Sequence, residues 1–277
     1  MIEKLTVIPK EESITLVSDI TYSHVVYWFN NTMKPLKMSL LMPKNRIGQS
    51  PRPLLVWLCG GGFQVMDKDV WIPQLTYFAR KGYVVASVEY RTANESEFPD
   101  PVVDIKAAIR YLRAHAHEFF IDPDRVCLGG ESAGACFSLL AGATDGMKVF
   151  EQGDYLEQSS HVQAILDFYG TVRLDHQRIY PRESGDVLTA ADGTTSLGFA
   201  EGLLSEKMPP VMILHGDKDQ FVNYEDSYYL HDRLQELGVP CEFLLFQGAS
   251  HGVDAFYQPE IFDRVLDFLN RYMPETN

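Results

Sequence analysis

"GGESAGA", residues 129–135, places Ser132 between Gly130 and Gly134. An apolar run, "DRVCLGG" (124–130), leads into it and "SAGACFSLLAGA" (132–143) leads out. The first reads as a strand and the second as a small-residue helix suited to close packing on a sheet. A GxSxG pattern between strand and helix is a nucleophile elbow: the serine sits in an unfavourable backbone conformation and its hydroxyl is lifted clear of the sheet. Side chains at 130 and 134 would collide with the turn, so both positions are glycine. The plainer alternative is a tight turn that needs only small residues.

The segments on either side fix the architecture. "PLLVWLC" (53–59) and "YVVASVEY" (83–90) are continuous apolar runs, as expected of strands buried on both faces. "WIPQLTYFARKG" (71–82) reads as a helix ending at Gly82. "PDPVVDIKAAIRYLRAHA" (99–116) is the clearest helix. Val102, Ile105, Ile109, Leu112 and Ala116 form its apolar stripe, with Asp104, Lys106, Arg110 and Arg113 mostly away from it. Strand-like "HVQAILDFYG" (161–170), "PPVMILHG" (209–216) and "CEFLLFQG" (241–248) follow, with helices at 224–238 and 259–273. This alternation predicts a mainly parallel sheet covered by helices on both faces. "HVVYWF" (24–29) and "LKMSLLMP" (36–43) read as strands of an antiparallel N-terminal edge. With no repeat and no long linker, the chain reads as one α/β domain. Residues 171–208 interrupt the alternation and read either as a small insertion or cap near the site or as an ordinary long surface loop.

A serine hydroxyl needs a base, and in this architecture the order is Ser, then Asp or Glu, then His. Of the eight histidines, His231 and His251 come late enough. His231 falls inside an amphipathic helix and reads as a solvated position. His251, in "GASHG" just beyond "CEFLLFQ", lies on a loop that lets an imidazole reach over the strand ends. "LHGDKDQFV" offers Asp217 and Asp219 as the acid. Asp219 lies two residues further into the loop and is the expected partner of His251, while Asp217 is expected to stabilise the turn. The acid fixes the imidazole tautomer and favours the imidazolium that forms during attack. "LCGGGF" (58–63) supplies an anion trap: backbone N–H groups of Gly61 and Gly62, with that of Ala133, are expected to hold an oxyanion.

The totals exclude other classes. The 277 residues carry a formal net charge of -14 and no Lys/Arg-rich run, which argues against nucleic acid. No stretch approaches the roughly 18 apolar residues of a membrane span, and "MIEKLTVIPKEES" lacks the apolar core of a secretory signal. Cys59, Cys127, Cys136 and Cys241 lie in or beside apolar segments, so free thiols and a cytoplasmic location are expected. No CxxC spacing occurs, and His115 and His117, two apart at a helix end, point to different sides rather than to one metal. Neither a metal nor a cofactor is called for.

Four separated motifs, "CGGGF", "EYRTANESEFPDPVVDIKAAIRYLR", "GGESAGA" and "HGDKDQFV" followed by "SHG", together resemble the α/β-hydrolase superfamily. More narrowly, they resemble the hormone-sensitive-lipase-like esterases and the related bacterial carbohydrate esterases. The resemblance spans residues 59–252 and does not cover 171–208. It implies an α/β-hydrolase fold, a triad of Ser132, Asp219 and His251, an oxyanion hole of Gly61, Gly62 and Ala133, and cleavage of short-acyl esters without cofactor. It suggests a structural ion pair of Arg91 and Asp104. One departure is Cys59, where the family usually has a histidine that helps fix the glycine loop. The expected activity is therefore a serine carboxylesterase acting on a small-molecule ester, acetylated sugars among them, with Phe63, Trp71 and part of 171–208 lining the site. A homo-oligomer is compatible with the sequence. The rival readings are a peptidase or amidase with the same triad, and a non-catalytic binding protein on the same scaffold.

Overall fold

The computed structural model describes residues 1–8, 12–27, 31–44, 48–172 and 200–275. Eight strands form one sheet: β1 (Ile14–Tyr27), β2 (Thr32–Pro43), β3 (Arg52–Leu58), β4 (Val84–Val88), β5 (Ile121–Glu131), β6 (Ala164–Phe168), β7 (Val211–Gly216) and β8 (Cys241–Phe246). Their order is β1-β2-β4-β3-β5-β6-β7-β8. β2 runs antiparallel to both β1 and β4, and the remaining pairs are parallel. This is the α/β-hydrolase arrangement expected from the motifs.

The helices are α1 (Ile72–Arg80), α2 (Asp100–Ala114), α3 (Ala116–Phe119), α4 (Ala133–Ala143), α5 (Ala200–Leu203), α6 (Glu225–Glu236) and α7 (Pro259–Tyr272). Alternation along β3 shows how the two layers are made. Leu54, Val56 and Leu58 face a core with Ile105 and Ile109 of α2, Phe137 and Leu140 of α4, and Leu230 of α6. Leu55 and Trp57 face the opposite core, with Leu75 and Phe78 of α1 and Phe262, Val265 and Leu269 of α7. A strand covered on both faces has no polar side to show, which is why these strands read as unbroken apolar runs. No helix among the described residues is long and apolar enough to cross a membrane.

Chain order places the site. From β3 the chain moves outward to β4, then returns across β3 to lay down β5 on its other side. The reversal makes β3/β5 the topological switch point, and ligand crevices of open α/β sheets lie beyond the strand ends there. The glycine loop follows β3 and Ser132 follows β5, so both open onto that crevice.

The structure differs from the sequence reading in two places. β1 begins at Ile14, ten residues before the expected start. Its pairing with β2 slips between Val17 and Ile20 and again between Thr21 and Ser23, and Asp19 takes a left-handed φ of 59°. Such breaks shift which residues face inward, and period-two alternation is lost. The cations of α2 are also placed differently from expectation. Asp104 is buried against Arg91, and Lys106 and Arg110 are likewise buried rather than set away from the core. The segment after α4 folds over them: Lys106 Nζ donates to Thr144 O, Glu151 and Ser160, and Arg110 donates to Glu151 and to the Asp154 and Gln152 carbonyls. Buried cations persist where each donor finds an acceptor. The expected insertion at 171–208 falls largely on 173–199, outside the described residues.

Candidate active site

Register dictates the elbow. Leu58 on β3 lies opposite Gly130 on β5. A Cβ at Gly130 would stand 2.7 Å from Leu58 O, and one at Gly134 would stand 2.1 Å from the same oxygen. Both glycines are thus required by the neighbouring strand as well as by the turn. Ser132 has φ 54° and ψ −119°, a conformation that costs a non-glycine residue on the order of 1–3 kcal/mol. Its N–H donates to Phe168 O at 2.9 Å, and its carbonyl accepts from Cys136 N at 3.1 Å, so the strained turn is held from both sides. Ser132 remains partly exposed at the start of α4, whose next residues are all buried.

The structure brings Ser132, His251 and Asp219 together across a separation of 119 residues. His251 Nε2 lies 2.9 Å from Ser132 Oγ, and Nδ1 lies 2.6 Å from Asp219 Oδ2. The Asp219 carboxylate can only accept, so His251 donates from Nδ1 and presents a free lone pair to the serine hydroxyl. Asp219 Oδ1 accepts from the backbone N–H of Phe221 at 2.8 Å and of Val222 at 2.9 Å. Burial would raise the Asp219 pKa, but the Val222 N–H, His251 and the Phe221 N–H together hold it below the usual carboxylate range. A second imidazole reaches the same oxygen, His215 Nε2 at 3.1 Å. The His251 ring is flanked edge-on by Tyr169 at 4.7 Å and Phe221 at 5.5 Å between centroids.

Asp217 does not join this group; its carboxylate accepts from Gly248 N at 2.7 Å and ties the turn after β8. His231 pairs with its neighbour Asp232 on the surface of α6. His115 meets Glu118 and Tyr155, and no cluster of three metal-ligating side chains occurs among the described residues.

The glycine loop is shaped by close approach. Gly61 has φ 141°, and a Cβ there would stand 1.9 Å from Val65 O. Gln64 N and Val65 N both donate to Gly61 O at 3.2 Å, closing the loop on itself. No protein acceptor for the N–H of Gly61, Gly62 or Ala133 occurs among the described residues. Those are the three donors expected for an oxyanion.

Glu131 is a residue that the sequence reading missed. Its Oε1 accepts from Gly60 N and from the Trp71 indole N–H at 3.2 Å. A Cβ at Gly60 would stand within 2.8 Å of the same carboxylate. The residue just before the serine therefore fastens the glycine loop to the elbow. Trp71 is also turned toward Glu131, stacked on Tyr257 at 4.0 Å, rather than simply lining a pocket. Nothing in the sequence pairs Glu131 with Gly60, which lies 71 residues away. Cys59, in the position of the family's usual histidine, points to Lys68 O and Ser87 instead. Burial pushes its thiol up to about 12, so it stays protonated at neutral pH.

Arg91 grips Asp104 with Nε and Nη2 at 2.8 Å each, and reaches Asp100 at 2.6 Å. Burial pushes the Asp104 carboxyl up to about 6 against the pull of Arg91.

The BD-FAE family model matches residues 38–234. The isoprenylcysteine alpha-carbonyl methylesterase of Arabidopsis thaliana is 24% identical over 256 residues, covering 84% of this chain and 59% of that protein. The acetyl esterase of Salmonella schwarzengrund is 26% identical over 224 residues, covering 73% and 67% respectively. The chain spans about half the length of several curated relatives that it matches. Among solved structures, a truncated carbohydrate esterase from gut microbiota superposes with a TM-score of 0.76 at 23% identity. That match covers 95% of this chain and 98% of the other, and it bears on the fold alone.

Proposed function

The chain belongs to the BD-FAE family, and from that premise we propose that it is a serine carboxylesterase working through an acyl-enzyme intermediate. The observation that carries this reading is the unbroken line from Ser132 Oγ to His251 to Asp219, beside N–H groups of Gly61, Gly62 and Ala133 that meet no acceptor among the described residues. Ser132 Oγ attacks the ester carbonyl carbon as its proton passes to His251 Nε2. The carbonyl electron pair moves onto oxygen, and the N–H groups of Gly61, Gly62 and Ala133 receive that oxyanion. Collapse expels the alcohol, which takes the proton from His251. Water then gives a proton to His251 as it attacks the acyl carbon, and collapse of the second tetrahedral adduct breaks the bond to Ser132 Oγ, which takes that proton back from His251 as the acid leaves.

The named relatives support an ester substrate: one is a methylesterase and the other an acetyl esterase. We assign small acyl esters as the substrate class, acetylated sugars among them. The test is a p-nitrophenyl ester series from acetate to dodecanoate, run beside acetylated xylan fragments and an aminoacyl anilide. Turnover should be highest at the short acyl end, with the anilide slower than any short ester. A maximum at long chains overturns the acyl assignment, and faster anilide cleavage overturns the esterase assignment.

A further inference from the structure

Asp219 Oδ2 is shared between two imidazoles, and only one of them touches the nucleophile. His215, the fifth residue of β7, reaches Oδ2 with Nε2 at 3.1 Å, while His251 reaches it with Nδ1 at 2.6 Å. The side chains of His215 and Asp219 are sealed from solvent, whereas that of His251 is 16% exposed. On its other side, His215 Nδ1 lies 2.7 Å from Ser227 Oγ, itself buried on α6. The proton count follows from these contacts. An ionised carboxylate offers no proton, so His215 must donate from Nε2. Ser227, buried away from water, completes its own bonding by donating to a bare Nδ1.

We infer that His215 is a positioning residue: a neutral imidazole, protonated on Nε2, that fixes the Asp219 carboxylate and limits how strongly Oδ2 holds His251. With Oδ1 taken by the N–H groups of Phe221 and Val222, His215 leaves the carboxylate one direction in which to accept, toward His251. The role as stated rests on the triad reading of Ser132, His251 and Asp219. Neutrality matters, because a charged His215 would neutralise Asp219 before His251 ever took a proton. Burial opposes the charged form of His215 more strongly than the nearby Asp219 and the Val222 backbone favour it, which lowers its pKa. Among the described residues, the titratable groups near the pair include Tyr169 after β6, edge-on to His251, and Asp226 beside Ser227. Asp226 accepts from Thr171 Oγ1 at 2.6 Å, and Asp167 lies behind it on β6. None of these named groups is a cation that could replace the His215 donor.

The test compares His215→Phe, which keeps a ring but no donor, with His215→Gln, whose amide can restore one. Losing a donor makes Oδ2 a stronger acceptor and raises the proton affinity of the His251–Asp219 pair. In His215→Phe the acid limb of kcat/KM against pH, with p-nitrophenyl acetate, should therefore move upward by about one pH unit. The low-field NMR proton between His251 and Asp219 should move further downfield. His215→Gln should return both toward wild type. Two variants that leave both readouts unmoved, or that move them equally, overturn the role. So does an imidazolium or an Nδ1-protonated His215 in ¹⁵N spectra of the wild-type chain at pH 7. The ¹⁵N measurement needs neither a variant nor turnover. It decides the His215 assignment even if wild-type protein fails to cleave the ester, a result that would count against the esterase reading alone.

Discussion

Replacing Gly134 by alanine should separate activity from folding. The added Cβ would stand 2.1 Å from Leu58 O and 2.7 Å from Leu58 C, where ordinary contact begins near 3.4 Å. Both atoms are backbone in the last residue of β3, so no side chain can swing aside. Relief requires α4 and the end of β3 to part by more than an ångström. Ser132 rides on one of these elements and the glycine loop on the other. Overpacking of this kind costs about 1–3 kcal/mol of stability, and a misplacement of about 1 Å in a catalytic constellation costs roughly a hundredfold in rate. The control is Gly142→Ala in the same helix. Its Cβ would meet the Ile165 Cδ1 methyl at 2.4 Å, a side-chain terminus that can rotate away. Urea unfolding with kcat/KM on p-nitrophenyl acetate should show loss of stability in both variants and the hundredfold rate loss only in Gly134→Ala. A Gly134→Ala protein within a few-fold of wild-type kcat/KM refutes the claim that β3–β5 proximity sets the site.

Further outcomes follow from the neighbouring groups. Glu131→Ala should lower kcat/KM by about ten- to a hundredfold through loss of a charged hydrogen bond to the loop. Glu131→Gln, which keeps an acceptor, should lose less in the same steady-state assay. Asp167 has one oxygen without a hydrogen-bond partner, and burial pushes its carboxyl up to about 7. The folded chain then holds a proton that the unfolded chain has released, so this group's stabilisation is present below about pH 4 and is lost as pH rises through about 7. Asp167→Asn should therefore exceed wild type in stability at pH 8, on the order of 2–4 kcal/mol, and show a smaller fall between pH 5 and 8 in urea titrations. Arg91→Gln leaves the buried Asp104 carboxylate without its paired guanidinium and should cost about 3 kcal/mol in the same titration at pH 8.

Much of the site could be read from residue order because the fold puts each functional group directly after a strand. Ser132 follows β5, Asp219 follows β7, His251 follows β8, and the glycines follow β3. An apolar run marks each of those strands, so the residue after it marks the crevice. The choice between Asp217 and Asp219 rested on reach alone, and the structure turns Asp219 toward His251 and Asp217 toward Gly248. Glu131 escaped because its partner Gly60 lies 71 residues away, and His215, four residues before Asp219, escaped because it falls inside an apolar strand run. Periodicity reports which face of an element is apolar and says nothing about what later folds over its polar face. Lys106 and Arg110 were misplaced for that reason: their cover comes from residues 144–160, which carry no pattern linking them to α2.

The most direct measurement is active-site labelling with a fluorophosphonate, with the adduct located by mass spectrometry. One phosphonyl group per chain is expected, on Ser132, absent in Ser132→Ala and formed far more slowly in His251→Ala. Labelling at another residue, or undiminished labelling in Ser132→Ala, would contradict it.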